Sequence, residues 1–230
     1  MFKLFLITLM MLAWAKPAFS LSVDSMVKIV QGDSRGVTFT IQGSTQERTI
    51  EAECFVVTMD KSGKEFQQAC GNDYVIYPAI FSLKSEQKRA VRISKLTTHR
   101  EEEVALRIYF RELPSFSPVQ GVELLSRLGC WLFFQPKQAV IDVTASWHEN
   151  GLRIHNQSNV HLRPISGKLI TNHGDIDITE TLKHAPRILA KHTRLLSFTE
   201  GVKKHIKHDT LIQKVVISLA SAHTLHLSLP

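Results

Sequence analysis

Several signatures are missing from this sequence, and each absence closes off a class of function. There is no Gly-x-Ser-x-Gly elbow, no His-Glu-x-x-His helix and no glycine loop suited to cradling phosphate. Common hydrolase, metalloprotease and nucleotide-binding chemistries therefore have no foothold, and no cofactor is implied. No long basic run occurs: the formal charge of +7 is spread over 230 residues. That is too mild and too dispersed for nucleic acid to be the partner. No solenoid-type repeat is visible. After the first twenty residues, no stretch approaches the roughly 18 uninterrupted apolar residues that a membrane span requires, so stable membrane insertion is not expected. Acidic residues are absent before Asp24, and the chain has only three cysteines.

That acid-free start is informative. Met1–Ser20 has Lys3 near its beginning, an apolar run over Leu4–Ala15 and small residues at Ala18 and Ser20. A charged start, a short apolar run and a small-residue cleavage site describe a secretory signal peptide at 1–20, too short to span a bilayer. No cysteine follows it to take a lipid. The mature chain is expected to begin near Leu21, in an exported and oxidising compartment.

Export gives the cysteines meaning. Cys54 and Cys70 flank Asp60-Lys61-Ser62-Gly63-Lys64, a polar stretch containing the glycine that a tight turn favours. A hairpin centred on Ser62 sets residue 54 opposite residue 70. Opposed Cβ atoms there are ~4.5–5.5 Å apart, within modest adjustment of a disulfide, so a Cys54–Cys70 bridge is expected. Cys130 lies in the apolar run Cys130–Phe134 and reads as a buried thiol rather than a nucleophile.

The mature chain reads as strand after strand: Val23–Val30, Val37–Ile41, Glu51–Met59, Tyr74–Tyr77, Phe81–Leu83, Ala90–Ile93, Val104–Phe110 and Val122–Phe134. Short strands at 8–15 residue spacing, with turn residues between them, suit a β-sandwich. Around Gln135-Pro136 the pattern starts again, with Ala139–Trp147, Gly151–His155, Val160–Leu162, Lys168–Ile170, Arg194–Phe198, Gln213–Leu219 and Thr224–Leu229. Thr181–Leu196 fits strand or helix equally, and Lys203–His208 reads as an exposed loop. Two β domains follow, at 21–136 and, smaller, at 137–230, both of ordinary domain size.

The order of segments resembles the periplasmic chaperones of the chaperone–usher pathway. The resemblance rests on Tyr77-Pro78-Ala79-Ile80-Phe81-Ser82-Leu83, on Ala90-Val91-Arg92-Ile93, and on Glu103 preceding Ala105–Phe110 and Arg111-Glu112-Leu113-Pro114. It continues in Leu132-Phe133-Phe134-Gln135-Pro136 and His155–Val160. Within these motifs Arg92, Glu103 and Pro136 read as structural. The resemblance implies an all-β chain of two immunoglobulin-like β-sandwich domains in an L-shaped arrangement, with no enzymatic activity. Its partners would be a pilus or fimbrial subunit, capped by strand donation, and an outer-membrane usher.

By that resemblance the donor is Val122–Phe134, with Val122, Leu124, Ser126 and Leu128 on the face that fills the subunit's groove. Ser126 departs from the apolar pattern and implies a shallow pocket there. The same apolar richness suits an ordinary core strand. The family also carries a basic pair in its cleft that holds a subunit carboxylate. Alignment through Gly32 and Pro136 puts Val27 and Trp131 at those positions, so the usual pair is absent. Lys28 and Arg127 are the nearest substitutes, with Arg127 sharing a strand face with Trp131. Two readings stay open beside this one: a secreted two-domain adhesive or structural sandwich, and a periplasmic metal-binding sandwich using His205-x-x-His208 or His223-x-x-His226. In a strand, i and i+3 point to opposite faces, which would split the second pair. Asn156-Gln157-Ser158 matches a glycosylation acceptor but reads better as a turn.

Overall fold

The computed structural model describes residues 20–60, 63–97, 101–115, 123–148, 151–206 and 209–229. The signal-peptide segment before Ser20, the turn centre Ser62, Val122 and His208 lie outside them. Within the first block the strands are β1 (Ser22–Val23), β2 (Val27–Val30), β3 (Gly36–Gln42), β4 (Arg48–Met59), β5 (Glu65–Ala69), β6 (Tyr74–Tyr77), β7 (Ile80–Leu83), β8 (Lys88–Lys95), β9 (Val104–Glu112) and β10 (Arg127–Phe134). The second block holds β11 (Val143–His148), β12 (Gly151–Asn156), β13 (Pro164–Thr171), β14 (Gly174–Asp177), β15 (Thr193–Ser197), β16 (Ile212–Leu219) and β17 (Thr224–Ser228), with α1 (Thr179–Lys183) and α2 (Glu200–Lys203).

The chain is all-β and built as immunoglobulin-like sandwiches. One sheet runs β1-β3-β8-β6 and its partner runs β2-β10-β9-β4-β5, with β7 also on β4. Alternate residues of both sheets turn inward, as period-two strands require. Phe39, Ile41, Val91 and Ile93 from one sheet meet Ile50, Leu106, Ile108, Phe110 and Leu132 from the other in one closed core. A second core lies between β11-β12-β15 and β14-β13-β16-β17, around Leu152, Ile154, Leu169, Val215 and Ile217. A smaller cluster joins the two blocks: Val57, Met59, Ala105, Trp131 and Phe133 pack with Leu189.

Several segments differ from the sequence reading. Val23–Val30 is not one strand but two, because β1 pairs with β3 while β2 pairs with β10. Ser25 makes the switch: its hydroxyl donates to the Val27 carbonyl and accepts from the Val27 N–H, closing a local turn. The strand expected from Val122 begins only at Arg127. Just before it, the Glu112 carboxylate accepts from the Ser126 N–H at 2.8 Å, in the place of a neighbouring backbone. Val160–Leu162 forms only a single bridge, Leu162 to Ile188. β14 went unforeseen because Gly174-Asp175-Ile176-Asp177 has one apolar residue in four, and the start of Lys203–His208 closes the helical turn α2.

Candidate functional site

β10 has two unlike halves. Residues 131–134 lie between two neighbours, pairing parallel with β2 (Trp131 with Val27, Phe134 with Val30) and antiparallel with β9. Residues 127–130 pair with β9 alone. The Trp131 N–H donates to Met26 O at 2.9 Å and the Gln135 N–H to Val30 O at 2.8 Å. Odd-numbered amides thus point towards β2, and by the same alternation Arg127 and Gly129 turn theirs to the same side. Among the described residues no strand receives them there. This is an open sheet edge, the geometry that templates pairing with another chain.

The side chains alternate as expected. Leu128 and Cys130 face the first core, followed by Leu132 and Phe134. Upstream, Leu124 is 84% exposed and Leu125 41% exposed, with Ser126 half-buried between that segment and the ladder. Two adjacent leucines thus leave apolar surface in water. The segment is tethered by Glu123, which pairs with Arg48.

On the outer face, Gly129 makes room for a stack. A Cβ there would stand 2.8 Å from Tyr109 Cε1. With only hydrogen in that place, Tyr109 lies across β10, the Arg127 guanidinium sits 3.7 Å over its ring, and Phe55 meets its edge. Arg127 also pairs with Glu53 at 3.1 Å.

The substitute pair Lys28 and Arg127 does not converge. Lys28 pairs with Leu132 across the parallel ladder, so both face inward. Its ammonium donates to Asp24 and to Thr38 O, each at 2.7 Å, and lies 4.9 Å over the Phe39 ring. Arg127 is odd-numbered and lies on the opposite face. The parallel register separates them, which strand-by-strand reading could not reveal.

The positions to which the family's basic pair aligns are themselves neighbours. Val27 and Trp131 are direct partners across the β2–β10 ladder, and both belong to the apolar cluster joining the blocks. Trp131 is nonetheless surrounded by cations. The Arg107 guanidinium lies 3.6 Å over its ring, and that of Arg187, from the second block, lies 5.8 Å from Trp131 and 5.7 Å from Phe133. Sequence reading missed Arg187, since nothing near it in the chain signals a partner 56 positions away.

The blocks are joined by a buried polar node. The Glu103 side chain is 1% exposed and its oxygens lie 2.9 Å from His161 Nδ1. The same carboxylate accepts from the His161 backbone N–H and from Gln135 Nε2. The imidazole stacks on Phe133 with centroids 3.8 Å apart. Further links are Met59 N–H to His192 Nε2 at 3.3 Å and Arg194 to Gly63 O at 2.7 Å. Pro136 is buried beside the node, whereas Arg92 is exposed on β8 and, among the described residues, donates to Ser94 Oγ.

The cysteines behave as hairpin arithmetic requires. β4 and β5 pair Phe55 with Ala69, which places Cys54 opposite Cys70, and their sulfurs are bonded with Cα atoms 5.5 Å apart. Cys130 is a buried free thiol whose pKa is pushed up to about 11, chiefly by burial. Among the described residues no group of three or more His, Cys, Asp or Glu could hold a metal ion. Asn156 is buried, and its amide donates to the carbonyls of Val160, Ile188 and Leu189, a turn-holding role that occupies the nitrogen a glycan would need. Among the described residues no helix is long and apolar enough to cross a membrane.

Comparison with known proteins agrees with this geometry. Residues 20–140 match the family described as pili and flagellar-assembly chaperone, PapD N-terminal domain. Among solved structures, the class 5 fimbriae chaperone CfaA superposes with TM-score 0.64 at 11% identity, covering 91% of this chain and 99% of that one. A chain of the CsuC–CsuE chaperone–tip adhesion subunit pre-assembly complex of Acinetobacter baumannii gives 0.64 at 12% identity, covering 91% and 99%. A chain from the Salmonella enterica complex of SafA pilin with the SafB chaperone gives 0.58 at 14%, covering 93% and 98%. At such identities the likeness speaks for the fold. A search of curated protein sequences returns no match.

Proposed function

Since this chain belongs to the pili and flagellar-assembly chaperone family, a family of assembly helpers rather than enzymes, we propose that it is a periplasmic chaperone that caps a pilus or fimbrial subunit by donor-strand complementation and hands it to an outer-membrane usher. Strand addition between chaperone and pilin is an established mode of β-augmentation. The observation that carries the reading here is the open edge of β10 at residues 127–130, with the exposed Leu124 and Leu125 just before it. A subunit strand placed against that edge would take the free amides of Arg127 and Gly129. Leu124 and Ser126, with Val122 beyond the described residues, would turn towards the subunit's groove, whereas Leu128, also expected there, packs on the first core and would contribute its backbone alone.

In this reading 1–20 is cleaved on export, 21–136 is the strand-donating domain and 137–230 is the smaller supporting domain. The complexes of CsuC with CsuE and of SafB with SafA are complexes of such chaperones with their subunits. Family membership and this free edge together extend that activity to the present chain.

Co-expression with a candidate pilus or fimbrial subunit tests the reading. Leu124→Asp should fold as the parent does, since Leu124 is exposed, yet capture of the subunit should fall by at least 100-fold. Burying an unpaired carboxylate in the complex costs several kcal/mol. Undiminished capture by Leu124→Asp would remove this segment from the interface.

A further inference from the structure

The open half of β10 has a glycine in it, a poor choice for an edge that has to stay extended. Without a Cβ, glycine reaches backbone conformations far from the strand region and weakens the strand it interrupts. Gly129 has its ladder to β9 on one side, and among the described residues no strand lies on the other. Its support comes instead from the outer face of the sheet. Tyr109 is its direct partner across the ladder, and the ring fills the space that a Cβ at 129 would need, 2.8 Å from Cε1 and 3.2 Å from Cδ1. That ring is itself held from three directions. The Arg127 guanidinium covers it at 3.7 Å, and Phe55 of β4 meets its edge with centroids 5.7 Å apart. Gln67 of β5 grips the hydroxyl, its Nε2 donating at 3.0 Å. Arg127 is tied down in turn by Glu53 of β4.

We propose that Tyr109 is a positioning residue for strand addition: its ring stands in for a second neighbouring strand and holds Arg127–Gly129 extended while their amides stay free. An aromatic ring laid against an edge glycine stiffens a strand without adding a ladder. Every fixed point outside β10 lies on β9, β4 or β5, so the clamp leaves the β2 side open to an incoming chain. A strand that arrives there meets backbone already in ladder geometry, and less conformational freedom is lost on pairing. The inference deepens the chaperone reading and rests on it. It adds how the donor edge keeps its shape before any subunit is bound.

Backbone 15N order parameters of the exported protein, free of subunit, read the clamp. Capture of a candidate pilus or fimbrial subunit on co-expression reads its use. In the parent the Arg127, Leu128 and Gly129 amides should be rigid, with order parameters near ~0.85. Tyr109→Thr removes the ring and keeps a residue that suits a strand. The three values should then fall below about 0.6, and capture should drop at least 10-fold. Tyr109→Val serves in its place if Tyr109→Thr does not fold. Tyr109→Phe keeps the ring and should preserve both readouts. Adding Gly129→Ala to Tyr109→Thr supplies a Cβ where the ring no longer stands, and should restore rigidity and most of the capture. Tyr77→Thr, at an exposed tyrosine on the other sheet, should change neither.

Unchanged order parameters in Tyr109→Thr, or no restoration by Gly129→Ala, would overturn the clamp. Loosening with undiminished capture would overturn its part in strand addition. If Leu124→Asp loses the subunit while Tyr109→Thr keeps it, the chaperone reading stands and this inference alone falls. If Leu124→Asp keeps the subunit, the strand-edge reading falls, and the order parameters still decide whether the ring holds the edge.

Discussion

The two halves of β10 share one ladder with β9 and differ in what lies on their other side. Trp131–Phe134 is held by β2, and its side chains are buried in both the first core and the cluster that joins the blocks. Arg127–Cys130 has no neighbour on that side among the described residues, and its inward face is only partly covered at Leu128. One strand thus anchors the fold with its second half and offers an edge with its first. An edge strand is normally a hazard, blunted by charge, proline or brevity. Here the charge is present as Arg127, but it is drawn onto Tyr109 and Glu53 on the outer face, away from the backbone edge.

Substitutions can break this contrast in graded fashion. Phe133→Ala strikes the sealed half, where the ring is fully buried between Trp131 and His161. It should cost roughly 3–5 kcal/mol in urea denaturation. Cys54→Ser releases the bridge behind the open half, since Cys54 and Cys130 are both partners of Ile108 in β9. A loss of about 2–4 kcal/mol is expected in the same assay, and an unchanged midpoint would show that the bridge contributes nothing. Glu103→Ala leaves the His161 N–H groups without their acceptor and should cost about 1–3 kcal/mol.

At the junction of the halves, Cys130 sharpens the comparison through pH. Its folded pKa of about 11 stands above the roughly 8.5 of an unfolded thiol, so the folded state holds the proton longer. That contribution to stability is complete below about pH 8.5 and is lost as pH rises towards 11. The melting temperature should fall across this window more steeply in the parent than in Cys130→Ala. Iodoacetamide at pH 8 should label Cys130 only after unfolding, and rapid labelling of the native protein would place the junction in the open half. Smallest of all, Leu124→Ala should change stability by less than about 0.5 kcal/mol.

Much of the first block was legible because its strands obey strict alternation. Val37–Ile41 and Phe81–Leu83 are strands as read, and the Cys54–Cys70 bridge follows from the position of Gly63 in a polar turn. What escaped depended on partners distant in sequence. The break at Ser25 exists because β1 and β2 join different sheets. The failure of Lys28 and Arg127 to meet follows from a parallel register between strands about a hundred residues apart. Arg187 carries no local motif and gains meaning only when the second block brings it beside Trp131. The open edge is the intermediate case: the apolar run was plain in the sequence, but nothing in it told which half β2 would cover.

Residue-resolved hydrogen exchange on β10, with the protein alone and bound to its subunit, tests the central claim most directly. In the free protein the amides of Trp131 and Phe133 should be protected and those of Arg127 and Gly129 should exchange quickly. On binding, Arg127 and Gly129 should slow by at least 100-fold while the sealed half stays as it was. Equal, rapid exchange of Arg127 and Gly129 in both states would contradict strand donation at this edge.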